Sequence, residues 1–151
     1  MLRVRVASAD DCTTIANLAS NLLTEINRDN KTITITQERV KLFIESSIPT
    51  VTFLAENDTL PVGFISAVTS SAIYSEKDFG IINELYVEPL SRSEGIAAQL
   101  IKALTDHAVN IGWSSLSVGT PHQPQWIRTL NFYKKQGFVE IGPRLRLKLT
   151  N

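Results

Sequence analysis

Cysteine occurs once in these 151 residues, at position 12, so no internal disulfide can form and burial must hold the fold together. Histidine occurs twice, at 107 and 122, with no H-E-x-x-H run and no Cys/His cluster, so no metal site is expected. No stretch approaches 18 continuous apolar residues, which excludes a spanning helix and leaves no expectation of a membrane partner. Neither sign of charge is in excess. The 15 basic residues meet 15 acidic ones, so the formal net charge is zero and no overall positive field attracts nucleic acid. Met1 to Arg5 alternates apolar with charged residues and lacks the apolar core of a signal peptide. With the single cysteine, this makes a cytoplasmic location the expectation.

A hydrophobic fraction of 43% and a charged fraction of 20% are those of an ordinary soluble globular chain, and the length suits one domain over residues 1–151. No repeat, low-complexity tract or linker divides it. Cys12 reads as a small core or helix-surface residue, since no histidine lies near it to activate a thiolate.

Leu2, Val4 and Val6 alternate with Arg3 and Arg5 and predict a strand. Ser8, Asp10 and Asp11 supply capping and acidic first-turn chemistry, after which Ile15, Leu18, Leu22 and Ile26 recur at helical spacing. Residues 27–36 are polar and read as a loop beside a pocket. Val40, Phe43 and Ile44 mark a second helix. Residues 51–56 and 62–69 form β-branched runs around Asn57, Asp58 and Thr59, predicting a hairpin. Residues 79–87 predict a further strand, stopped at Glu88 and Pro89. Residues 90–94 form a polar loop, and Gly95 opens a helix with Ile96, Leu100, Leu104 and Ala108 on one face. Gly112 ends that helix and Leu116 and Val118 mark a short strand. Residues 126–135 have helical composition, with Ile127, Leu130 and Tyr133 on one face, and 138–141 and 145–149 read as two closing strands around Gly142 and Pro143.

The strand, loop and helix around Gly95 would present unpaired N–H groups and a positive helix end to one point, as an anion site requires. Gly95 and Ala97 are small enough for a pyrophosphate to approach the main chain, and Arg92 could add a charge at the mouth. Small residues at a helix start also serve tight packing, so this signal alone leaves both roles open. Neither G-x-G-x-x-G after a strand nor G-x-x-x-x-G-K-[ST] is present, which removes support for dinucleotide oxidoreductases and P-loop NTPases.

Arg92-Ser93-Glu94-Gly95-Ile96-Ala97 does match the acetyl-CoA signature [RQ]-x-x-G-x-[GA], and Asn131-Phe132-Tyr133-Lys134-Lys135-Gln136-Gly137-Phe138 resembles a second signature in which a helix ends in F-Y-x-x-x-G-F. In both motifs, and in the element order β-α-α-β-β-β-α-β-α-β-β, the chain resembles the Gcn5-related N-acetyltransferase (GNAT) family over essentially its whole length. The resemblance implies an α/β (α+β) fold: a mixed, mostly antiparallel twisted sheet of six to seven strands, splayed at strands four and five and flanked by about four helices. It also implies acetyl-CoA as cosubstrate, held by Arg92, Ser93, Glu94, Gly95, Ile96 and Ala97, by the backbone of Leu85, Tyr86 and Val87, and by Asn131 and Tyr133. Trp126 and Thr129 stand where many members carry Asn and Ala, a departure at the start of that helix.

The activity implied is transfer of an acetyl group to a primary amine by direct attack in a ternary complex. Tyr133 matches the tyrosine that in the family often protonates the departing thiolate, although a tyrosine there can also serve as core packing. Glu84 matches a glutamate that often takes the amine proton, although a strand glutamate is commonly just solvated. His107 and His122 read as packing or surface residues, and Lys134 and Lys135 suit a helix C-terminus. The acceptor stays open between small-molecule and peptide amines, and a homodimer is compatible with the family. The alternative from another class is a catalytically inactive acyl-CoA-binding regulatory module.

Overall fold

The computed structural model describes residues 1–27, 29–119, 127–142 and 144–150. The chain divides into two compact units, Met1–Ser117 and Val118–Asn151. In the first, strand β1 (Leu2–Val6) leads through a 3-10 turn to helices α1 (Cys12–Ile26) and α2 (Gln37–Ile44), then strands β2 (Thr50–Asn57), β3 (Leu60–Ser70) and β4 (Phe79–Val87). A second 3-10 turn, Pro89–Ser91, precedes helix α3 (Ile96–Ile111), and strand β5 (Leu116–Val118) meets the unit boundary. Helix α4 (Ile127–Lys135) belongs to the second unit.

The sheet order is β1-β2-β3-β4-β5. The first three pairings are antiparallel. The β2–β3 hairpin closes through Asp58 and Thr59, both at positive φ (49° and 74°), as a two-residue turn requires to match strand twist. Between β4 and β5, Ser114 N–H donates to Asp78 O and Gly80 N–H to Ser115 O, both at 2.9 Å, so the two segments advance in the same direction and the sheet is mixed. Three residues of β5 flank only part of the nine-residue β4.

Side-chain alternation sorts the sheet into two faces. Leu54, Phe64 and Tyr86 join Ile15, Ala16 and Leu18 of α1 and Val40 of α2 in one core. Cys12 lies buried in the same cluster, where burial pushes its thiol pKa up and leaves it unreactive. Helix α3 packs against β1 through β4, with Leu100 and Leu104 fully buried. Burying each of these leucines stabilises the fold by about 2 kcal/mol. His107 of α3 sits edge-on to Phe53 at 5.9 Å and Trp113 at 6.3 Å, a packing role.

The start of α1 is fixed by charge. The Arg5 guanidinium donates to both Asp11 carboxylate oxygens, at 2.8 and 2.9 Å, and to Glu56 on β2, while Ser8 N–H donates to Asp11 at 2.9 Å. These bonds hold the Asp11 carboxyl below its ordinary range, Arg5 contributing most.

Among the described residues the sheet has five strands rather than the six to seven expected. Residues 138–141 and 145–149, expected as closing strands, are irregular. Leu145, Leu147 and Leu149 are 94%, 82% and 86% exposed. Alternation is necessary for a half-buried strand but does not supply the neighbouring ladder that satisfies its backbone. Pro143, Trp126 and His122 lie outside the described residues.

Candidate active site

Strand β4 carries the irregularity that shapes the site. Its register against β3 runs Ser66↔Glu84 and then Ala67↔Ile82, so Asn83 is one residue too many and forms a β-bulge. In a regular strand Asn83 and Glu84 would face opposite sides of the sheet. The bulge lets both line the same cavity, about 380 Å³ in volume, between the sheet and the first two helices.

The cavity wall is largely apolar. Helix α1 contributes Ile15, Ala19 and Leu23, and α2 contributes Val40 and Phe43. Phe64 forms part of the sheet floor and Ile35 comes from the loop between the helices. That loop is pinned to α1: Ser20 Oγ accepts from Ile35 N–H at 2.8 Å, and Thr24 Oγ1 accepts from Ile33 N–H at 2.9 Å. The polar lining consists of Thr52, Ser66, Asn83, Glu84 and Arg39.

Glu84 is half-buried, and burial pushes its carboxyl above the ordinary carboxylate range. The neighbouring Ser66 hydroxyl opposes that shift through its dipole. Ser66 is only 3% exposed, and its Oγ makes no hydrogen bond of normal geometry among the described residues. A buried hydroxyl whose lone pairs face a cavity can accept from whatever enters it.

At the end of β4 the chain turns into the loop before α3. Gly95 has φ +80° and ψ 9°, and a Cβ built on it would meet nothing within 4 Å. Ser93 is likewise left-handed, at φ 70°. The first α-helical bond is Gln99 N–H to Gly95 O at 3.1 Å, so helix geometry leaves the N–H groups of Ile96, Ala97 and Ala98 without intrahelical acceptors. Glu94 and Gly95 are exposed and Ala97 is half-buried. Unpaired N–H groups at the positive end of a helix are the feature by which helix N-termini hold anions.

Arg92 already has partners within the protein. Its guanidinium makes a bidentate pair with Glu25, both contacts at 2.8 Å, donates through Nε to Val87 O at 2.9 Å, and stacks 5.6 Å from the Tyr86 ring centre. Asn21, one turn before Glu25 on α1, reaches Glu88 at 3.3 Å. One face of α1 therefore holds both ends of the turn that launches the loop. Of the cofactor residues expected on β4, Tyr86 and Val87 are buried and Leu85 half-buried.

In the second unit, Tyr133 on α4 is buried, with ring centres of Phe132 and Phe138 each at 5.5 Å. Burial pushes its phenol up to about 12. Asn131 is exposed on the same helix. Phe138 N–H donates to Tyr133 O at 3.1 Å, and Lys134 pairs with Glu140 at 3.2 Å.

A family description, "Acetyltransferase (GNAT) domain", matches residues 49–140. The chain belongs to the GNAT acetyltransferase family. A curated relative, the uncharacterized N-acetyltransferase YhfO of Bacillus subtilis (strain 168), is 27% identical over 139 residues, covering 92% of this chain and 91% of that protein. Among solved structures, the ribosomal-protein-alanine N-acetyltransferase of Brucella melitensis biovar Abortus 2308 is similar with a TM-score of 0.79 at 19% identity, covering 99% of this chain and 100% of the other. The aminoglycoside N-acetyltransferase AAC(6')-Iy in complex with CoA gives 0.79 at 17% identity, covering 98% and 94%. At these identities the two structures establish the GNAT fold, and their acceptors remain properties of those proteins.

Four contributors to the site escaped the sequence: the bulge at Asn83, the buried Ser66, the cavity face of Arg39, and the Glu25 partner of Arg92. Each arises from contacts between segments distant in the chain, for which no local pattern exists.

Proposed function

We propose that this GNAT acetyltransferase moves an acetyl group from acetyl-CoA to a primary amine by direct attack in a ternary complex. The supporting observation is Glu84: a carboxyl with a raised pKa in the wall of a cavity, on the strand that runs directly into the anion-receiving loop. Acetyl-CoA would supply an activated acyl carbon, with the N–H groups of Ile96, Ala97 and Ala98 to hold its pyrophosphate and the backbone of residues 85–87 to hold its pantetheine. Glu84, with its pKa moved toward neutrality, accepts a proton from the amine as the new C–N bond forms. Tyr133, whose phenol stays protonated well above neutral pH, donates a proton to the thiolate as the C–S bond breaks. Direct attack is supported by the state of Cys12, the chain's one cysteine, which is buried in the core with its thiol pKa raised.

The test is a pH–rate profile of the wild type against Glu84→Gln. A base must be ionised to act, so wild-type kcat/KM rises with pH through the raised Glu84 pKa and levels above it. Glu84→Gln loses that limb and about 10²-fold in rate. An unchanged profile would remove the base role. Acetyl-CoA binding without turnover of any amine would favour the regulatory module instead.

A further inference from the structure

The cavity beside Glu84 has a composition that selects among amines. We infer that the acceptor is a free α-amino acid with an apolar side chain, its amino group at Glu84 and Ser66, its side chain on the apolar wall and its carboxylate at Arg39. The assignment rests on the acetyltransfer reading above and specifies the acceptor at that same site.

Three observations carry it. The first is size: about 380 Å³ lies near the lower end of small-molecule sites, which suits a compact ligand better than a multi-ring one. The second is the wall, where Ile15, Leu23, Ile35, Phe43 and Phe64 form a continuous apolar surface for an alkyl or aryl group, apart from the polar lining around Glu84. The third is charge. The described lining holds one acid, Glu84, and one base, Arg39. A polycation would find one carboxylate for several ammonium groups and a guanidinium to repel the rest. A zwitterion finds one partner for each of its charges.

Arg39 is available for that contact. It stands in the first turn of α2, held through its backbone N–H by Thr36 Oγ1 at 3.2 Å, and it is exposed. Among the described residues no carboxylate pairs with its guanidinium, which can therefore form a bidentate pair with a ligand carboxylate. At the other end, the buried Ser66 Oγ beside Glu84 can accept an amine N–H. A peptide N-terminus would offer Arg39 an amide carbonyl where a free amino acid offers a carboxylate.

The reaction balances with these groups. The acceptor ammonium loses one proton to solvent and a second to Glu84 as its nitrogen bonds to the acyl carbon. The C–S bond breaks, the sulfur takes one proton, and the products are an N-acetylated amino acid and the free thiol.

The experiment measures thiol release from acetyl-CoA with leucine, methionine and phenylalanine, with their decarboxylated amines, with a leucine-initiated dipeptide amide, and with an aminoglycoside. Wild type should favour each amino acid over its decarboxylated amine by about tenfold or more in kcat/KM. Arg39→Glu should bring that ratio to one or below, chiefly through KM for the amino acid. Arg39→Gln provides the milder replacement, and circular dichroism reports whether each variant is folded. Turnover of the aminoglycoside, the dipeptide amide or the simple amines in preference to the amino acids would overturn the acceptor class and leave acetyl transfer standing. An Arg39→Glu variant that keeps the wild-type ratio would overturn the carboxylate contact. No turnover of any amine would overturn the acceptor class and the transfer reading together.

Discussion

Tyr133 shows how burial fixes the protonation state of a phenol. Enclosed by Phe132 and Phe138, it is held neutral across the working pH range, because taking a phenolate out of water is costly. If its hydroxyl protonates the leaving thiolate, Tyr133→Phe lowers kcat roughly 10²-fold with little change in acetyl-CoA affinity. Unchanged kcat would reduce the residue to packing. Arg92 makes the opposite case, a charge whose partners are already fixed. If it acts as a strut, Glu25→Ala, which removes the other half of the bidentate pair, weakens acetyl-CoA binding in the same direction as Arg92→Ala. Were Arg92 a direct phosphate ligand, freeing it from Glu25 would tighten binding instead. Titration calorimetry on the two variants separates these outcomes. The R-x-x-G-x-A spelling identifies where this arginine lies, but its partner is 67 residues away in the chain and has no signature.

At the level of elements, the β3–β4 pair holds both the bulge at Asn83 and the strand end that precedes the Gly95 loop. Gly63 lies opposite Val87, and a Cβ added there would meet Tyr86 O at 2.6 Å. The obstacle is backbone, which cannot rotate aside, so Gly63→Ala should cost about 1–3 kcal/mol of stability and displace the end of β4. Chemical denaturation measures the first effect. An unchanged midpoint would show that the strands separate easily. The elements before α4 were legible because their patterns agree with their surroundings: Ile15 and Leu18 face a core, and Asp58 and Thr59 make the turn that the chain between two strands requires. The bulge was not legible, since the run around Asn83 looks like any other strand. The closing strands at 138–141 and 145–149 were expected wrongly because Leu145, Leu147 and Leu149 carry the period without a ladder to join.

For the molecule as a whole, one strand joins a cavity to the loop before a helix. The bulged part of β4 faces a cavity between α1, α2 and the sheet, and its last residues lead into the loop over α3. The loop's location was readable from the spacing of Arg92, Gly95 and Ala97, whereas the cavity's chemistry needed Arg39, Ser66 and Glu84 to be brought together by folding. On the proposed function, the Gly95 loop receives the cosubstrate phosphates. This role is tested most directly by calorimetric titration of acetyl-CoA into the wild type and into Gly95→Leu. The left-handed φ makes leucine cost about 1–2 kcal/mol there, but its Cβ has no neighbour within 4 Å to strike, so the variant should fold. Acetyl-CoA should bind the wild type, and that binding should be lost in the folded variant. Equal binding by both, or none by the wild type, would contradict the role.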